Sequence, residues 1–552
     1  MVSIDTRARK KPRKDSDSHK KTQEVSKQTK DQGATAGDVD SASSLLTTFV
    51  WIPVLFAVGI YLYLNPSIFI NFIDDWIGFS EHYDAAPAAR QPVLTYLPAD
   101  ATKRDAVVLA FKHSWHAYEK NAMGDDEYHP LSKNGSNLTE AGGIGYMVVD
   151  VLDSLQIMDL WVEDELSFDR DAKFSTFETT IRVLGGLLSA YHLSDNDPLY
   201  LDKAIDLADR MLPAFDTPGY QATDFPYLVS IAEVATLQLE FRYLSYLTGN
   251  EAYWRAVENV MKVVKRARLP HGLASIFMGV EDGQYETSSI RLGSRGDSFY
   301  EYLLKQYLQT NNSEPVYREM YEDAMDAVHK YLIQQSMGNK MIYIMASHTK
   351  DHLVCFFGGS SCSAQHAQAH WYIQSPSPRP EELSEKGLRD WKTGMELIKT
   401  CMNTHDTQTG LSPEVVYFRV PSDGMDGYAG APSDWYIKGA AVGEFPPYDA
   451  RYMLRPRLLT GDQRYRDHGW SIFHAIDTHC RVADGGYATI INVDENPARQ
   501  EDRMETFFLS ETLKYLYLLF SSSDVIPLDK YILNTEAHPF PIFEPSMQTG
   551  FS

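Results

Sequence analysis

The chain has 552 residues, of which 43% are hydrophobic and 12% aromatic, and it carries a formal net charge of −24. A chain of this length is too long for one small core, so it predicts one large domain or two to three ordinary ones. The negative charge argues against a nucleic-acid partner, because binding nucleic acid requires a basic face. The four cysteines lack CxxC spacing and an accompanying histidine cluster, so a zinc site is not expected.

The amino-terminal part predicts a membrane anchor. Residues 1–44 form a basic tail with few apolar residues and are predicted to be disordered, whereas residues 45–64 contain no charge and are long enough to span a bilayer. Lysines and arginines precede this span and none follows it before Arg90, which places the amino end in the cytosol. A cleaved signal peptide is the alternative, and the long basic lead disfavours it. We therefore expect a single-span type II membrane protein.

Beyond the predicted span, residues 65–103 are expected to form a stem and residues 104–545 a lumenal helical domain. Within this domain a pattern recurs in which one helix ends, the chain turns through Gly, Asn or Asp, and a tyrosine opens the next helix. The four copies of the pattern are residues 190–204, 244–256, 307–319 and 459–467. A helical hairpin cannot bury its own apolar face, so a repeat of this kind predicts an all-α toroid of ring-closed hairpins.

In the first three copies the leading helix carries acidic residues. Glu178 and Arg182 are four residues apart, a spacing that lets the arginine orient the carboxylate. Asp297 and Glu301 are also four residues apart, so they lie on one helix face. Arg295 precedes Asp297 by two residues. If the leading helices line the ring, these acids converge on its axis and suit a sugar site. The alternatives are a capped helix with a solvated acidic face, or ordinary ion pairs on outer helices.

The fourth copy is incomplete. Its leading helix should precede the turn at residues 458–462, but residues 452–457 run almost directly into that turn. By the logic of the repeat, about two to three turns of an inner helix are missing from the chain at this point.

Long motifs occur in order from about Glu127 to Pro541. They comprise residues 142–155, 177–188, 237–241, 293–305, 351–356, 411–414, 504–516 and 534–539. Together they resemble glycoside hydrolase family 47, the class I α-1,2-mannosidases that trim N-linked glycans. The resemblance covers nearly the whole predicted lumenal part, and it implies an (α/α)7 barrel, which agrees with the toroid predicted from the repeat.

The resemblance also implies catalytic roles. Glu178 matches the general acid of the family and Arg182 its partner, Asp297 matches a second catalytic carboxylate, and Glu414 matches a third acid often assigned a donor role. Enzymes of the family invert configuration, which requires an acid and a base far enough apart to admit a water molecule.

Further residues are expected to bind substrate and metal. Thr535 matches the threonine that binds one Ca²⁺ at the barrel floor, and calcium accepts water and sugar hydroxyls as further oxygen ligands. Phe507 and Glu511 match residues that contact the terminal mannose, and an arginine at position 295 is typical of endoplasmic-reticulum members, where it selects a glycan branch. The expected substrate-binding residues are Arg182, Arg295, Glu301, Arg455, Phe507 and Glu511.

The resemblance implies a disulfide between Cys355 and Cys401, in keeping with an oxidising lumen. Two unpaired buried thiols are the alternative. The expected partners are high-mannose N-glycans and the membrane of the endoplasmic reticulum, or the Golgi, and we expect a monomer.

One departure from the family bears on activity. In the family a glutamate that serves as the general base follows an Arg-Pro pair, whereas here Arg455-Pro456 is followed by Arg457. Either the sequence is an imperfect gene model of an intact mannosidase, or the protein lacks the base. The leading hypothesis is a Ca²⁺-dependent α-1,2-mannosidase, and the alternative is a catalytically impaired, lectin-like glycan-binding protein.

Overall fold

The fold was analysed in a computed structural model. The residues that it describes are 98–158, 166–216, 227–267, 270–344, 349–355, 357, 383–419, 434–439, 443, 445–455, 463–522, 524–547 and 549–551.

A first set of helices is buried along almost its whole length. These buried helices are Tyr146–Ile157, Thr176–Glu178 with its continuation through the π-helical turn Thr179–Leu184 into Gly185–Leu193, Gln238–Thr248, Asp297–Gln309, and the π-helical turn Phe508–Thr512 with its continuation Leu513–Phe520. In the first of them every residue from Tyr146 to Leu155 is buried. A helix that is covered on all sides belongs to the interior of a domain, so these helices form the core.

A second set is amphipathic and has one face in solvent. These outer helices are Ala101–Ala122, Pro198–Met211, Glu251–Arg266, Pro315–Ala327, Glu385–Asn403 and Gln463–His479. In Glu251–Arg266 the buried side chains recur every three to four residues and include Tyr253, Trp254, Val257 and Val260. This spacing is typical of a helix that packs one apolar face against a core and leaves the other face in solvent.

The buried helices Gly185–Leu193, Gln238–Thr248 and Asp297–Gln309 each form a hairpin with the outer helix that follows, as the repeat predicts. Gly249 ends one helix in the left-handed conformation with φ of 70°, and the Asn250 side chain accepts a hydrogen bond from the Ala252 amide to start the next. Residues without a Cβ adopt this conformation without steric cost, and asparagine is a preferred helix cap. The tyrosines that open the outer helices, Tyr253 and Tyr317, are buried. Three of the four predicted turns are confirmed, and the fourth, at 459–462, lies outside the described residues.

The buried helices form a continuous row. The Phe508–Thr512 turn packs against Tyr146–Ile157, which packs against Gly185–Leu193, and the row continues through Gln238–Thr248 to Asp297–Gln309. The all-helical architecture is thus confirmed, while the count of seven hairpins remains a prediction. Between residues 310 and 507 the part of the chain that the structure describes adds outer helices and strands, but no further buried helix.

Short antiparallel strand pairs connect the helices. Their strands are Glu127–His129 with Asn134–Ser136, Leu228–Ser230 with Phe277–Gly279, Ile333–Gln335 with Ile342–Ile344, Tyr531–Leu533 with Pro539–Pro541, and the three-stranded set Thr349–Asp351, Val415–Phe418 and Trp435–Tyr436. In the fourth pair Leu533 lies opposite Pro539, so residues 534–538 form its turn. The Asn534 side-chain oxygen accepts hydrogen bonds from the amides of Glu536 (2.8 Å) and His538 (2.9 Å), which shapes this turn.

Both ends of the helical domain are attached to its body. The first helix begins at Ala101, within the stretch 65–103 predicted to be a stem, and packs against Leu513–Phe520. The Asp100 amide donates to the Phe520 carbonyl at 2.8 Å. At the other end, the Gly550 amide donates to the Glu258 carboxylate at 2.6 Å, beyond the predicted boundary at residue 545. Contacts with the helical domain thus extend to Asp100 and Gly550, while the range 104–545 remains a prediction.

None of the helices described from residue 98 onward is both long and apolar enough to cross a bilayer. The predicted tail at 1–44 and the predicted anchor at 45–64 lie outside the described residues.

Cys355 and Cys401 form a disulfide, which confirms the expected pairing, and Cys480 is a buried free cysteine. The bond joins residues separated by 46 positions in the sequence. Because a cross-link of this span restricts the unfolded chain, we expect the double variant Cys355→Ala/Cys401→Ala to lose about 2–4 kcal/mol of unfolding free energy. Denaturant unfolding measures this loss. Reductant should lower the stability of the parent protein but not of the variant, and equal stability of the two proteins would contradict the prediction.

Candidate active site

The buried helices and the 534–538 turn enclose a cavity of about 710 Å³. Predicted site residues from distant parts of the sequence meet in its lining. They are Glu178, Arg182, Arg295, Asp297, Glu301, Arg455, Phe507, Glu511 and Thr535, together with Cys355 and Cys401 of the disulfide. Of the residues proposed from the sequence, only Glu414 is absent from the lining.

Glu178 lies in the first turn of its helix, where Ser175 caps the helix by accepting a hydrogen bond from the Glu178 amide. The Oε2 atom of Glu178 accepts hydrogen bonds from Arg182 Nε at 2.8 Å and from the Tyr146 hydroxyl at 3.1 Å. The carboxyl side chain is 39% exposed, so it faces the cavity while two neighbours fix its orientation. The predicted i,i+4 pair is therefore present.

Arg182 connects Glu178 to the interior. Its Nη1 donates to Thr506 Oγ1 at 3.0 Å and to Glu536 at 2.9 Å, and lies 3.4 Å from the Asp150 carboxylate. The guanidinium also lies over the ring of Phe507, with 5.7 Å to its centroid. Burial alone would lower the pKa of Arg182, but the surrounding acids, Glu536 foremost, raise it well above its usual value. Arg182 is therefore a fixed cation beside the candidate acid.

A fully buried charge cluster lies behind Arg182. His538 bridges Asp150 at 3.3 Å and Asp153 at 2.9 Å. Lys514 Nζ lies 2.8 Å from Asp153 and donates to the Ala537 carbonyl at 2.9 Å. All four charged side chains have no exposed surface. Buried charges are tolerated when they are paired and hydrogen-bonded, so this cluster is a stable support for Arg182 on its interior side.

Asp297 opens its helix directly after Arg295 and Gly296, and its Oδ1 accepts a hydrogen bond from the Ser298 amide at 3.0 Å. Loss of hydration inside the cavity raises the pKa of Asp297 to about 7, and the neighbouring Glu301 adds to the effect. A carboxyl group with such a pKa can change its protonation state near neutral pH.

Glu301 joins the helix wall to the 534–538 turn. Its Oε2 accepts a hydrogen bond from Thr535 Oγ1 at 3.0 Å, and its Oε1 forms an ion pair with Lys305. Lys305 Nζ also donates to the Asn534 carbonyl at 3.2 Å. Thr535, for which the family resemblance predicts a metal-binding role, is thus fixed against an acid in the cavity lining.

Arg455 separates Glu414 from the cavity. The guanidinium lies over the Phe507 ring at 4.9 Å, and its Nε donates to Glu414 Oε2 at 3.3 Å. Glu414 itself is buried, and its amide donates to the Arg451 carbonyl. Because Glu414 does not line the cavity, the structure places it where it can orient Arg455 rather than contact a ligand directly.

Arg295 lies at the edge of the cavity. Its backbone has φ of 72°, and its carbonyl accepts a hydrogen bond from the Ala232 amide at 3.1 Å. The guanidinium lies over the ring of Phe277, with 5.5 Å to its centroid. The side chain is therefore directed by an aromatic neighbour beside the candidate acid Asp297.

Glu511 and Glu536 form a pair of carboxyl groups in the cavity lining. They are joined by a hydrogen bond, and burial together with the Glu511 charge raises the pKa of Glu536 well above its usual range despite Arg182. Burial likewise raises the pKa of Glu511. Two buried carboxyl groups in contact disfavour a second negative charge, and this repulsion adds to the effect of burial on both pKa values.

The residues around Thr535 fit a calcium ion. Carboxylate and hydroxyl oxygens are the ligands that Ca²⁺ prefers, and Glu301, Glu511 and Glu536 supply them near Thr535. Buried Glu240 Oε2 has no hydrogen-bond partner among the described residues, as expected where acids outnumber cations. No three His, Cys, Asp or Glu side chains within the described part of the chain could hold a metal by themselves. A cation at Thr535 would therefore also need water or substrate oxygens.

Glu240 is a buried acid that contacts Asn534, the residue before Thr535. It accepts hydrogen bonds from the Tyr302 hydroxyl (2.7 Å) and from Asn534 Nδ2 (2.8 Å), and burial raises its pKa to about 7. Between the unfolded and folded pKa values the unfolded chain releases this proton first, so the contribution of Glu240 to stability falls as pH rises. We expect the unfolding free energy of Glu240→Gln, relative to the parent protein, to rise by about 1–3 kcal/mol from pH 5 to pH 8.

The measurement is denaturant unfolding at both pH values in the presence of a chelator. Glu396→Gln is the control, because Glu396 is 54% exposed and lies 4.0 Å from Lys399, and its relative stability should not change with pH. A pH-independent difference for Glu240→Gln would contradict the prediction.

Sequence reasoning missed several residues of the site. Asp150 and Asp153 interrupt an otherwise apolar run in Tyr146–Ile157, and charged residues inside a buried helix are a signal of function or pairing. Glu536 directly follows Thr535 and could have been found by that proximity. Tyr146, which donates to Glu178, gave no signal because the contact depends on how two separate helices pack.

Comparison with known proteins agrees with this geometry. The model of glycosyl hydrolase family 47 matches residues 110–542. The chain is 38% identical over 508 residues to a mannosyl-oligosaccharide 1,2-alpha-mannosidase of Arabidopsis thaliana, covering 81% of this chain and 80% of that protein. It is 36% identical to the endoplasmic reticulum mannosyl-oligosaccharide 1,2-alpha-mannosidase of Schizosaccharomyces pombe, covering 84% and 94%.

A solved structure is also similar. The alpha-1,2-mannosidase from Trichoderma reesei superimposes with a TM-score of 0.68 at 25% identity, covering 81% of this chain and all of that one. The similarity extends over the helical domain that contains the cavity.

Proposed function

Because the chain belongs to glycosyl hydrolase family 47, we propose that it hydrolyses terminal α-1,2-linked mannose from high-mannose N-glycans. The observation that carries the proposal is the convergence of Glu178 with its Arg182 partner, Asp297 and Thr535 in one cavity. These residues lie far apart in the sequence and come from three separate elements. The relatives are named for the same reaction.

In the proposed reaction Glu178 donates a proton to the glycosidic oxygen that leaves. Arg182 and Tyr146 fix the carboxyl group while its remaining surface faces the sugar. Several further carboxyl groups line the cavity. Of these we assign to Asp297 the role of taking a proton from the attacking water. A base whose pKa lies near the working pH is effective in this role.

Calcium is proposed to bind at Thr535, with Glu301, Glu511 and Glu536 around it. A bound Ca²⁺ would supply positive charge and oxygen coordination for hydroxyl groups of the sugar. The carboxyl side chains would orient Thr535 and the water molecules at the site, while Phe507 and Arg455 would enclose the sugar ring. We further propose that the domain forms an (α/α)7 barrel, acts as a monomer in the lumen of the endoplasmic reticulum, and is anchored by residues 45–64.

The proposal is tested by incubating the full chain with a high-mannose N-glycan and measuring free mannose. We expect mannose release that a calcium chelator abolishes and that added Ca²⁺ restores. Release that is insensitive to the chelator would contradict the metal assignment. Absence of both release and binding would contradict the function.

A second function has one specific observation in its favour. Arg457 follows Arg455-Pro456 at the position where the family resemblance implies a catalytic glutamate. Loss of a general base lowers rates by roughly 10²–10⁴-fold, and the cavity would then bind mannose without hydrolysing it. Glycan binding without release by the full chain would support this lectin-like function.

A further inference from the structure

Two exposed aromatic residues lie three positions apart in the sequence, and the second of them contacts a residue of the cavity lining. Phe445 is 80% exposed, more than any other large hydrophobic residue in the described ranges, and Tyr448 is 49% exposed. Single exposed apolar residues are common. Two large exposed rings within one short segment are unusual, because aromatic side chains contribute to stability mainly when they are buried.

The ring of Phe445 is supported on one face. The guanidinium of Arg499 lies over it, with 5.3 Å to the centroid. Arg499 is fixed in turn by both carboxylate oxygens of Glu495, at 2.9 Å and 3.0 Å. A cation over an aromatic face is attractive, so Phe445 is held in position although it packs little against the core.

Tyr448 has the same arrangement. The guanidinium of Arg451 lies over its ring at 5.4 Å, and Arg451 Nη1 binds both carboxylate oxygens of Glu501 at 2.8 Å and 2.9 Å. The Tyr448 hydroxyl donates to Met453 Sδ at 3.7 Å, and Met453 lines the cavity. Tyr448 is therefore continuous with the cavity rim.

The chemistry of this rim favours an uncharged sugar. The face of a pyranose ring carries C–H groups with partial positive charge, and these are attracted to the negative face of an aromatic ring. Each supporting arginine is neutralised by a glutamate, so the rim offers no net charge to a phosphate or an anionic lipid. Rings that are oriented in advance also lose little conformational entropy on binding.

We propose that Phe445 and Tyr448 form a stacking platform for the mannose residues of the glycan that extend out of the cavity. The platform would add affinity for a branched oligosaccharide but none for a short one that ends inside the cavity. This inference rests on the proposed function, because it assigns a further subsite to the same ligand.

The test compares the binding of a high-mannose N-glycan with that of the disaccharide α-1,2-mannobiose. Calorimetry on the full chain in the Glu178→Gln background keeps both ligands intact. We expect Phe445→Ala and Tyr448→Ala each to weaken binding of the large glycan by about threefold to tenfold, the range for loss of one aromatic contact. Binding of the disaccharide should remain unchanged.

Tyr331→Ala is the matched control. Tyr331 is 41% exposed and also has a cation over its ring, Lys330 at 4.9 Å. Its ring packs beside His271, which is not part of the cavity lining, whereas Tyr448 contacts Met453, which is. Its replacement should alter neither affinity. Unchanged binding of the large glycan by the Phe445 and Tyr448 variants would overturn the platform alone, as would equal losses for both ligands. Failure of the parent protein to bind either ligand would overturn the proposed function together with the platform.

Discussion

Replacing Glu178 by glutamine is expected to lower the rate of mannose release by about 10²–10⁴-fold, the usual contribution of a general acid. Glutamine keeps the shape of the side chain and still accepts a hydrogen bond from Arg182, whose Nε lies 2.8 Å from the carboxylate. It cannot donate the proton that the leaving oxygen requires. The measurement is free mannose released from a high-mannose N-glycan under substrate saturation, where the chemical step is compared most directly.

Glu127→Gln is the matched control. Glu127 also lines the cavity and also pairs with an arginine, Arg503, at 3.3 Å, but no role in the reaction is proposed for it. Its variant should retain the parental rate within a small factor. If Glu178→Gln releases mannose as fast as Glu127→Gln does, Glu178 is not the general acid. Thermal unfolding of both variants should match the parent protein, which excludes a loss of fold as the cause.

Replacing Lys514 by methionine is expected to reduce the unfolding free energy by about 3–5 kcal/mol, because it leaves a buried carboxylate without its main cation. Lys514 and Asp153 have no exposed surface, and their charged atoms are 2.8 Å apart. His538 and Ser189 remain as neighbours of Asp153 at 2.9 Å and 3.0 Å. They cannot fully replace the ammonium group, which also donates to the Ala537 carbonyl. Denaturant unfolding measures the loss.

Lys386→Met is the control that tests whether burial causes this loss of stability. Lys386 Nζ lies 2.8 Å from Asp326, the same distance as in the buried pair, but its side chain is 52% exposed. Exposed ion pairs contribute about 1 kcal/mol or less, so this variant should unfold almost as the parent protein does. If the two substitutions reduced the unfolding free energy equally, the buried ion pair would not contribute more to stability than the exposed one, and the prediction would be wrong.

Much of the site could be predicted where the relevant contacts are local. The spacing of Glu178 and Arg182 is sufficient to predict their ion pair, because residues four apart on a helix are neighbours. The turn at Gly249 and Asn250 is likewise local, and it is present as predicted. The recurrence of such turns is therefore sufficient to predict the helical hairpins.

Contacts between distant segments were beyond prediction from spacing. Arg182 meets Glu536 across 354 sequence positions, and His538 meets Asp153 across 385. Such contacts depend on how the buried helices pack together, which no local periodicity encodes. Glu414 illustrates the same limit, since its match to a family acid gave no indication that Arg455 would separate it from the cavity.

The contact between Ala101–Ala122 and Leu513–Phe520 has a consequence for biosynthesis. Ala101–Ala122 is completed by Leu513–Phe520, and the 534–538 turn that carries Thr535 is made later still. A ribosome synthesises about 5–20 residues per second. Ala101–Ala122 is therefore made tens of seconds before Leu513–Phe520, and its apolar face stays uncovered by that helix during this time. Packing of Ala101–Ala122 and completion of the candidate metal site thus both depend on residues that are synthesised long after this helix.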